Sequence, residues 1–195
     1  MLRQQLFYRF SNFFTMICRS FGSCTRKHRH ILLWGDRMKQ GNWKQCLKWI
    51  ALTEAVGLLA GLLSREGTVL YQEYAVKPPL TPPGWVFGVV WTILYALMGI
   101  SICRVLQAQN VVGGNRCLNL FFAQLIVNFF WPLLIFNAQA FGFALIWLAL
   151  LWVLVLAMIL CFYRVDPRAA WLQIPYLIWL TFAAYLNTGV WLLNT

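Results

Sequence analysis

The sequence predicts an all-α membrane protein built as a bundle of five transmembrane helices. Of its 195 residues, 61% are hydrophobic and 11% are charged, which is too apolar for a soluble domain of this size. Five nearly uncharged stretches approach or exceed the length needed to cross a hydrocarbon core of about 30 Å. These stretches are Trp49–Leu63, Gly84–Ile102, Cys117–Phe136, Ala140–Tyr163 and Ala169–Leu193. The first is the weakest signal because it is short and contains Glu54.

Residues 1–45 form a basic tail that precedes the predicted five-helix domain, residues 46–195. The tail is rich in Arg and Phe and nearly free of acidic residues. Three interpretations remain open: an organelle-targeting presequence, an amphipathic helix on the membrane surface, or a disordered, dispensable segment upstream of a start at Met38. We favour the last, because a chain that starts at Met38 keeps all five spans.

Basic residues are concentrated on one side of the predicted membrane. Residues 1–48 carry ten Lys and Arg residues and one acid, Asp36. The loops on the same side add Arg104, Arg116, Arg164 and Arg168, whereas the opposite side has only Arg65 and Lys77. The positive-inside rule therefore predicts a multi-pass protein with its N-terminus inside and its C-terminus outside. Since these charges are ordinary topology signals, we expect no nucleic-acid partner.

The six cysteines predict neither a disulfide framework nor a metal site. They are scattered, with no Cys-x-x-Cys pair. His28 and His30 lie in a run of basic residues, where added positive charge disfavours metal binding. We therefore expect no metal.

A proline-rich segment precedes the second span and predicts a rigid loop at the membrane surface. Proline lacks an N–H and biases the residue before it away from the helical region. Trp85 follows directly and is expected at interfacial depth. The four prolines are Pro78, Pro79, Pro82 and Pro83.

Three spans each carry polar and aromatic residues at helical spacing, so that each span presents one mixed face. Two interpretations remain open: interhelical hydrogen bonds with aromatic packing, or a pocket lined by aromatic rings for a flat, largely apolar ligand. The faces are Gly88, Trp91, Tyr95 and Met98; Gln124, Asn128 and Trp131; and Tyr176, Trp179, Ala183 and Asn187.

Three motifs follow one another along the chain. They are Lys77-Pro78-Pro79 to Trp85 with Trp91 and Tyr95; Gln124-Leu125 to Asn128 and Trp131-Pro132; and Pro175-Tyr176-Leu177 to Trp179, Ala183, Asn187 and Trp191. Together they resemble the TspO/MBR family of tryptophan-rich sensory proteins, whose animal members are translocator proteins or peripheral-type benzodiazepine receptors. The resemblance covers about residues 49–194.

The resemblance implies a five-helix bundle, often a homodimer, that binds porphyrins or other flat hydrophobic ligands and requires no cofactor. In bacterial relatives, tryptophans corresponding to Trp91 and Trp179 are linked to light-dependent porphyrin breakdown, which would make these two residues catalytic. The implied lid comprises Pro78, Pro79, Pro82, Pro83 and Trp85. The implied ligand-binding residues are Trp91, Tyr95, Asn128, Trp131, Phe143, Trp179 and Ala183.

Departures from the family pattern lower the expectation of sterol binding. Thr188 stands where the cholesterol-recognition pattern of animal members has Tyr, and no Lys or Arg follows Arg168. The weak pattern favours a bacterial cytoplasmic membrane over a mitochondrial outer membrane. Leu80 and Phe143 replace tryptophans found in some members, which keeps the loop-side wall apolar.

Three functions are compatible with these features. A tetrapyrrole-binding protein of the sensor or translocator type is the leading interpretation, and a photo-oxidative enzyme that degrades porphyrin through its pocket tryptophans is the alternative. A porphyrin or sterol transporter is a third, although five spans do not divide into two equal inverted repeats.

Overall fold

The computed structural model describes residues 43–108 and 114–194. The predictions for the tail, and for a start at Met38, fall outside this range apart from the last three tail residues. The described chain contains no strand. Its helices are α1 (Trp43–Leu63), α2 (Arg65–Tyr74), α3 (Gly84–Gln107), α4 (Gly114–Pro132), α5 (Phe141–Val165), α6 (Pro167–Trp171) and α7 (Ile174–Leu193), and a π-helical turn, Leu133–Asn137, continues α4.

Within the described residues, five segments are long and apolar enough to cross a membrane, which confirms the predicted fold class. They correspond to α1, α3, α4 with its π-helical turn, α5, and α6 with α7. Large apolar side chains cover the outside of the bundle, among them Leu58, Ile93, Ile126, Ile146 and Ile178. Such a surface suits lipid and would be a liability in water. The chain is a multi-pass membrane protein.

The first span and the loop after it differ from the sequence-based prediction. Helix α1 begins at Trp43, six residues earlier than predicted, because the charge of Lys48 interrupts the apolar stretch without ending the helix. A lysine near a helix end can extend its ammonium to the interface while its stem stays in apolar surroundings. The long loop between the first two spans contains α2, a ten-residue helix that is too short and polar to register as a span.

Helices α1 and α3 pack closely at positions where glycine allows it. A Cβ atom on Gly99 would lie 2.5 Å from Cα of Ile50, so the backbones approach more closely than any larger residue permits. Gly57 faces the ring of Tyr95 in the same way, whereas Gly61 faces open space. Thr53 Oγ1 also donates a hydrogen bond to the Tyr95 carbonyl oxygen at 2.8 Å. Gly57 and Gly61 are small residues at i and i+4, a motif that allows another helix to approach closely. It serves packing within the bundle through Gly57.

The prediction of no disulfide framework was wrong. Cys46 is bonded to Cys103 and Cys117 to Cys161, with Cα–Cα distances of 5.1 and 5.5 Å. Each bond joins two neighbouring antiparallel helices, α1 with α3 and α4 with α5, near the ends that lie on one side of the bundle. The paired cysteines are 57 and 44 residues apart, so no local spacing motif reveals them.

Two connections between helices have clear local causes. The short link after α4 makes α4 and α5 an antiparallel hairpin, and the π-helical turn begins directly after Pro132, which has no N–H to donate. Asp166 caps α6 by accepting a hydrogen bond from the Arg168 N–H at 3.0 Å, with Pro167 in the first turn. The other carboxylate oxygen of Asp166 pairs with Arg104 of α3 at 2.8 Å, which ties α3 to the junction between α5 and α6.

Candidate ligand-binding site

An aromatic and amide cluster lies in the interior between α3, α4 and α7. We call Trp91, Tyr95, Gln124, Asn128 and Tyr176 the central cluster. The Trp91 ring centroid lies 5.6 Å from that of Tyr95 and 6.1 Å from that of Tyr176. Both distances fall in the range of favourable aromatic pairs. The i, i+4 spacing of Trp91 and Tyr95 places both rings on one face of α3, as the sequence predicted.

Two hydrogen bonds connect the tyrosines of the central cluster to α4. Asn128 Nδ2 donates to the Tyr95 hydroxyl at 3.3 Å, and the Tyr176 hydroxyl donates to Gln124 Oε1 at 3.2 Å. All four side chains are buried. Each amide therefore uses one of its two polar atoms to hold a tyrosine, and the other atom remains for a further partner.

Several buried polar atoms around this cluster have no hydrogen-bond partner among the described residues. They include Gln124 Nε2, Asn128 Oδ1 and the indole nitrogens of Trp131 and Trp179. A buried polar group without a partner costs about 1–3 kcal/mol, so native interiors usually satisfy such groups. These three donors and one acceptor, in an otherwise apolar interior, are suited to bind the polar groups of a ligand.

A chain of rings runs from Trp179 toward the end of the bundle that bears the proline-rich loop. The Trp179 centroid lies 5.6 Å from Phe87 of α3 and 5.6 Å from Phe182, and Phe182 stacks on Tyr185 at 6.2 Å. The Tyr185 hydroxyl donates to the Pro79 carbonyl oxygen at 3.1 Å. The loop is thus connected through α7 to the aromatic interior.

The loop between α2 and α3, residues 75–83, is fastened to the C-terminal half of α7, and we call it the lid. Asn194 accepts a hydrogen bond from the Val76 N–H and donates one to the Val76 carbonyl oxygen, each at 2.9 Å. Buried Pro78 packs against Gly189, where a Cβ atom would lie 2.6 Å from the proline ring. With the Tyr185 hydrogen bond to Pro79, the lid therefore has three separate contacts with α7 and the residue that caps it.

The lid itself turns at Leu80, which has φ of 66° and an exposed side chain. Left-handed backbone at a residue other than glycine is uncommon. Trp85 lies in the first turn of α3 and is 72% exposed. That position fits the interfacial depth predicted for it.

Helix α2 packs beside the lid against the π-helical turn. Gly67 contacts the backbone of Phe136, and the Tyr71 ring lies 5.1 Å from the Phe136 ring. Burial raises the pKa of the Tyr71 phenol above its ordinary value. The Lys77 ammonium lies 6.0 Å from the Tyr71 ring centroid and donates to the Gln72 carbonyl oxygen at 2.8 Å.

The structure places most of the sequence-predicted residues in the interior. Tyr95, Asn128, Trp131 and Ala183 are buried, and Trp91 and Trp179 are half-buried. Phe143 differs, because it is 52% exposed and its ring lies 6.0 Å from that of Trp147 on the same helix. Its described ring contacts do not connect it to the central cluster.

Other predicted positions have distinct environments. Of the lid prolines, Pro78 is buried, Pro82 is half-buried, and Pro79 and Pro83 are exposed. Asn187, on the predicted α7 face, is engaged with α5: in the amide orientation that satisfies both neighbours, it donates to the Phe141 carbonyl oxygen and accepts from the Leu145 N–H, each at 3.1 Å.

Sequence reasoning left four residues out of the site. Gln124 and Tyr176 lie on the predicted faces, and their spacing was a sufficient signal to include them. Tyr185 and Asn194 had no such signal, because their partners are backbone groups of the lid more than 100 residues away. Within the described residues, no group of three or more His, Cys, Asp and Glu side chains could hold a metal ion.

These features define a membrane protein with five described spans, a buried site of aromatic and amide side chains, and a proline-rich lid connected to that site through α7. A sequence profile of the TspO/MBR family matches residues 49–192, and the chain belongs to that family.

Relatives from bacteria and animals share most of the chain. It is 36% identical over 148 residues to the tryptophan-rich protein TspO of Chlorobaculum tepidum, covering 74% of this chain and 92% of the relative. It is 33% identical over 153 residues to the tryptophan-rich sensory protein of Cereibacter sphaeroides, covering 78% and 93%. It is 30% identical over 151 residues to the translocator protein of Bos taurus, covering 76% and 89%.

Proposed function

We propose that this protein binds a flat tetrapyrrole of the porphyrin class in its interior, between α3, α4 and α7, and acts as a sensor or translocator of that ligand. The observation that carries the proposal is the set of three buried donors and one buried acceptor around the central cluster that have no hydrogen-bond partner in the described part of the chain. The names of two relatives, tryptophan-rich sensory protein and translocator protein, agree with this type of function.

The chemistry of the site suits a porphyrin in two ways. The rings of Trp91, Tyr95, Tyr176 and Trp179 supply apolar faces against which a planar macrocycle can stack. The indole N–H groups of Trp131 and Trp179 and the Gln124 amide can donate hydrogen bonds to the carboxylates of its side chains. Hydrogen bonds to a charged acceptor are the stronger kind, worth about 1.5–3 kcal/mol each.

A porphyrin titration tests this proposal directly. Protoporphyrin IX added in the dark to purified protein in detergent should quench tryptophan emission saturably, with a dissociation constant in the micromolar range. Asn128→Ala should weaken binding by about threefold to tenfold, because it removes one polar partner and the hydrogen bond that positions Tyr95. Asn119→Ala, at an exposed position of the same helix, should leave affinity unchanged. Folded protein without saturable quenching would contradict porphyrin binding.

The lid contacts predict an effect on the rate of ligand release. Tyr185→Phe keeps the ring and removes the hydroxyl that donates to the Pro79 carbonyl oxygen, so the lid should open more often. We expect bound porphyrin to dissociate about threefold to tenfold faster, the equivalent of one hydrogen bond. Stopped-flow fluorescence measures the rate, and Tyr74→Phe at an exposed position is the matched control. An unchanged dissociation rate would remove this contact from ligand retention.

A photo-oxidative enzyme is the second candidate, and the contacts of Trp91 favour it. Its indole lies against the rings of two tyrosines, so three oxidisable groups are adjacent.

The orientation of the protein in the membrane is also part of this proposal. We place the end of the bundle with Lys44, Lys48 and Arg104 on the cytoplasmic side, because positive charge is concentrated there. At the opposite end, which bears the lid, the described residues include two bases and two acids, so their charges cancel.

A further inference from the structure

We propose that the Cys46–Cys103 disulfide is a redox-active site that exchanges with an anionic low-molecular-weight thiol of the glutathione class. The site is separate from the ligand-binding interior, and it does not depend on which ligand binds there.

The position of this bond makes it reachable from the membrane surface. Cys46 is the fourth residue of α1, and Cys103 lies four residues before the end of α3. With a rise of about 1.5 Å per residue, both lie roughly one turn inside the helix ends. Cys46 is half-buried, whereas Cys103 is fully buried. A thiol that approaches from the surface therefore meets the Cys46 sulfur.

Gln107 gives the bond a built-in hydrogen-bond donor. Its Nε2 lies 3.1 Å from the Cys103 sulfur and 3.3 Å from the Cys46 sulfur, and the side chain is exposed. An amide donor stabilises the thiolate that leaves in thiol–disulfide exchange. The Cys103 sulfur is the nearer of the two to Gln107 Nε2, and we assign it as the leaving group when Cys46 is attacked.

The second disulfide lacks this donor. Cys117 is buried and Cys161 is half-buried, as are Cys103 and Cys46 in the first bond, but the described side chains donate no hydrogen bond to either sulfur of the Cys117–Cys161 bond. We infer that this bond is structural. It serves as an internal reference for the first.

Charge at this end of the bundle attracts an anionic thiol. We call the end of the bundle that bears both disulfides the basic end. Among the residues described there, Asp166 is the one acidic side chain. Opposite charge in one region raises the local concentration of a charged reactant and its encounter rate. The basic residues described at this end are Lys44, Lys48, Arg104, Arg116, Arg164 and Arg168.

The exchange balances in two steps. A glutathione thiolate attacks the Cys46 sulfur, the S–S bond breaks, and Cys103 leaves as a thiolate that accepts the Gln107 hydrogen bond and then takes a proton from water. A second glutathione thiolate attacks the glutathione sulfur of the mixed disulfide and releases Cys46 as a thiolate. The protein disulfide is reduced by two electrons, and two glutathione molecules are oxidised to glutathione disulfide. The reverse reaction uses glutathione disulfide as the oxidant.

The fold can tolerate both redox states. Helices α1 and α3 remain joined by the backbone approach at Gly99 and by the hydrogen bond from Thr53 to the Tyr95 carbonyl oxygen. These contacts lie one to two helical turns deeper than Cys46 and Cys103. Opening the bond therefore frees the helix ends without removing the interface that positions Tyr95.

The test is a timed reaction of the full-length protein with reduced glutathione in detergent micelles. Acid quenching, alkylation and peptide mass spectrometry report each cysteine pair separately. We expect Cys46–Cys103 to open at least about tenfold faster than Cys117–Cys161, through a mixed disulfide on Cys46. Gln107→Ala should slow the opening by about threefold to tenfold, whereas Gln45→Ala, an exposed glutamine at the same end, should not. Added salt should slow glutathione more than the neutral thiol 2-mercaptoethanol.

Three results would overturn the proposal. Equal opening rates for the two bonds would make Cys46–Cys103 another structural disulfide. A mixed disulfide on Cys103 would contradict the assigned direction of attack. Protein isolated with both cysteines reduced, and not oxidised by glutathione disulfide, would show that the pair has no exchange chemistry.

Discussion

Gly99→Ala should destabilise the folded protein by about 3 kcal/mol, toward the upper end of the range for overpacked positions. The added methyl group would lie 2.5 Å from Cα and 2.7 Å from N of Ile50. Both are backbone atoms, so no side-chain rotation can relieve the clash and the two helices must separate. Thermal or denaturant-induced unfolding in micelles measures the loss.

Gly61→Ala is the matched control for this substitution. It makes the same chemical change within a membrane helix, but the new Cβ atom would meet nothing within 4 Å. Stability should stay the same or rise by up to about 1 kcal/mol, since alanine favours a helix over glycine. Equal losses at Gly61 and Gly99 would mean that close packing of α1 against α3 does not limit stability.

The glycine pair shows what a sequence pattern leaves undecided. The Gly57 to Gly61 motif predicts a close approach of another helix, but it does not say which glycine is used or by which helix. In the structure, Gly57 packs against the Tyr95 ring. Gly99, which lies outside the motif, packs against the backbone of Ile50 and so allows α1 and α3 to approach closely. Periodicity indicates which residues share a face, and only the fold gives the distance to the facing helix.

The interior faces were predictable because they depend on helix geometry alone. Gln124, Asn128 and Trp131 recur at i, i+4 and i+7, which fixes them on one face, and all three are buried. In a membrane, polar side chains are expected to face the bundle interior rather than lipid. These two rules were sufficient for the faces of α4 and α7, although Asn187 proved to contact α5.

The disulfides were missed for a different reason. Spacing rules for cysteine pairs assume that partners are close in sequence or follow a known motif. In a bundle of antiparallel spans, partners are instead residues at the same depth. Cys46 and Cys117 lie near the beginnings of the first and third spans, and Cys103 and Cys161 lie near the ends of the second and fourth. Because successive spans run in opposite directions, all four cysteines lie near the same side of the membrane. Comparing depths along the predicted spans would have identified the two pairs as candidates.

The lid contacts could not be derived from the sequence. Tyr185 and Asn194 bind backbone groups of the lid, and backbone acceptors leave no side-chain pattern to match. Helix α2 was hidden for a related reason. Its ten residues are mostly exposed, and the segment is too short and too polar to resemble a membrane span.

Replacing Trp91 or Trp179 with Phe should abolish light-dependent porphyrin degradation while preserving most dark binding, if the protein is an enzyme. Phe keeps an aromatic ring and most of its apolar area, but it lacks the readily oxidised indole and its N–H donor. If the protein only binds porphyrin, each change should cost at most about 1–2 kcal/mol, the value of one aromatic pair or one hydrogen bond. Porphyrin affinity would then fall by about tenfold or less, as measured by fluorescence quenching in the dark.

The two tryptophans should also differ from each other. Trp179 Nε1 is buried without a partner among the described residues, so Trp179→Phe removes a donor that a ligand could use and should weaken binding more. Trp91 lies against Tyr95 and Tyr176, so Trp91→Phe should affect photochemistry more than affinity. Asn128→Ala is the control, because it removes a polar group without removing an indole and should weaken binding with no selective loss of product. Absorbance spectra under light and oxygen measure the product. Wild-type protein that forms none would exclude the enzymatic function, and unchanged product from Trp91→Phe would exclude that residue from the reaction.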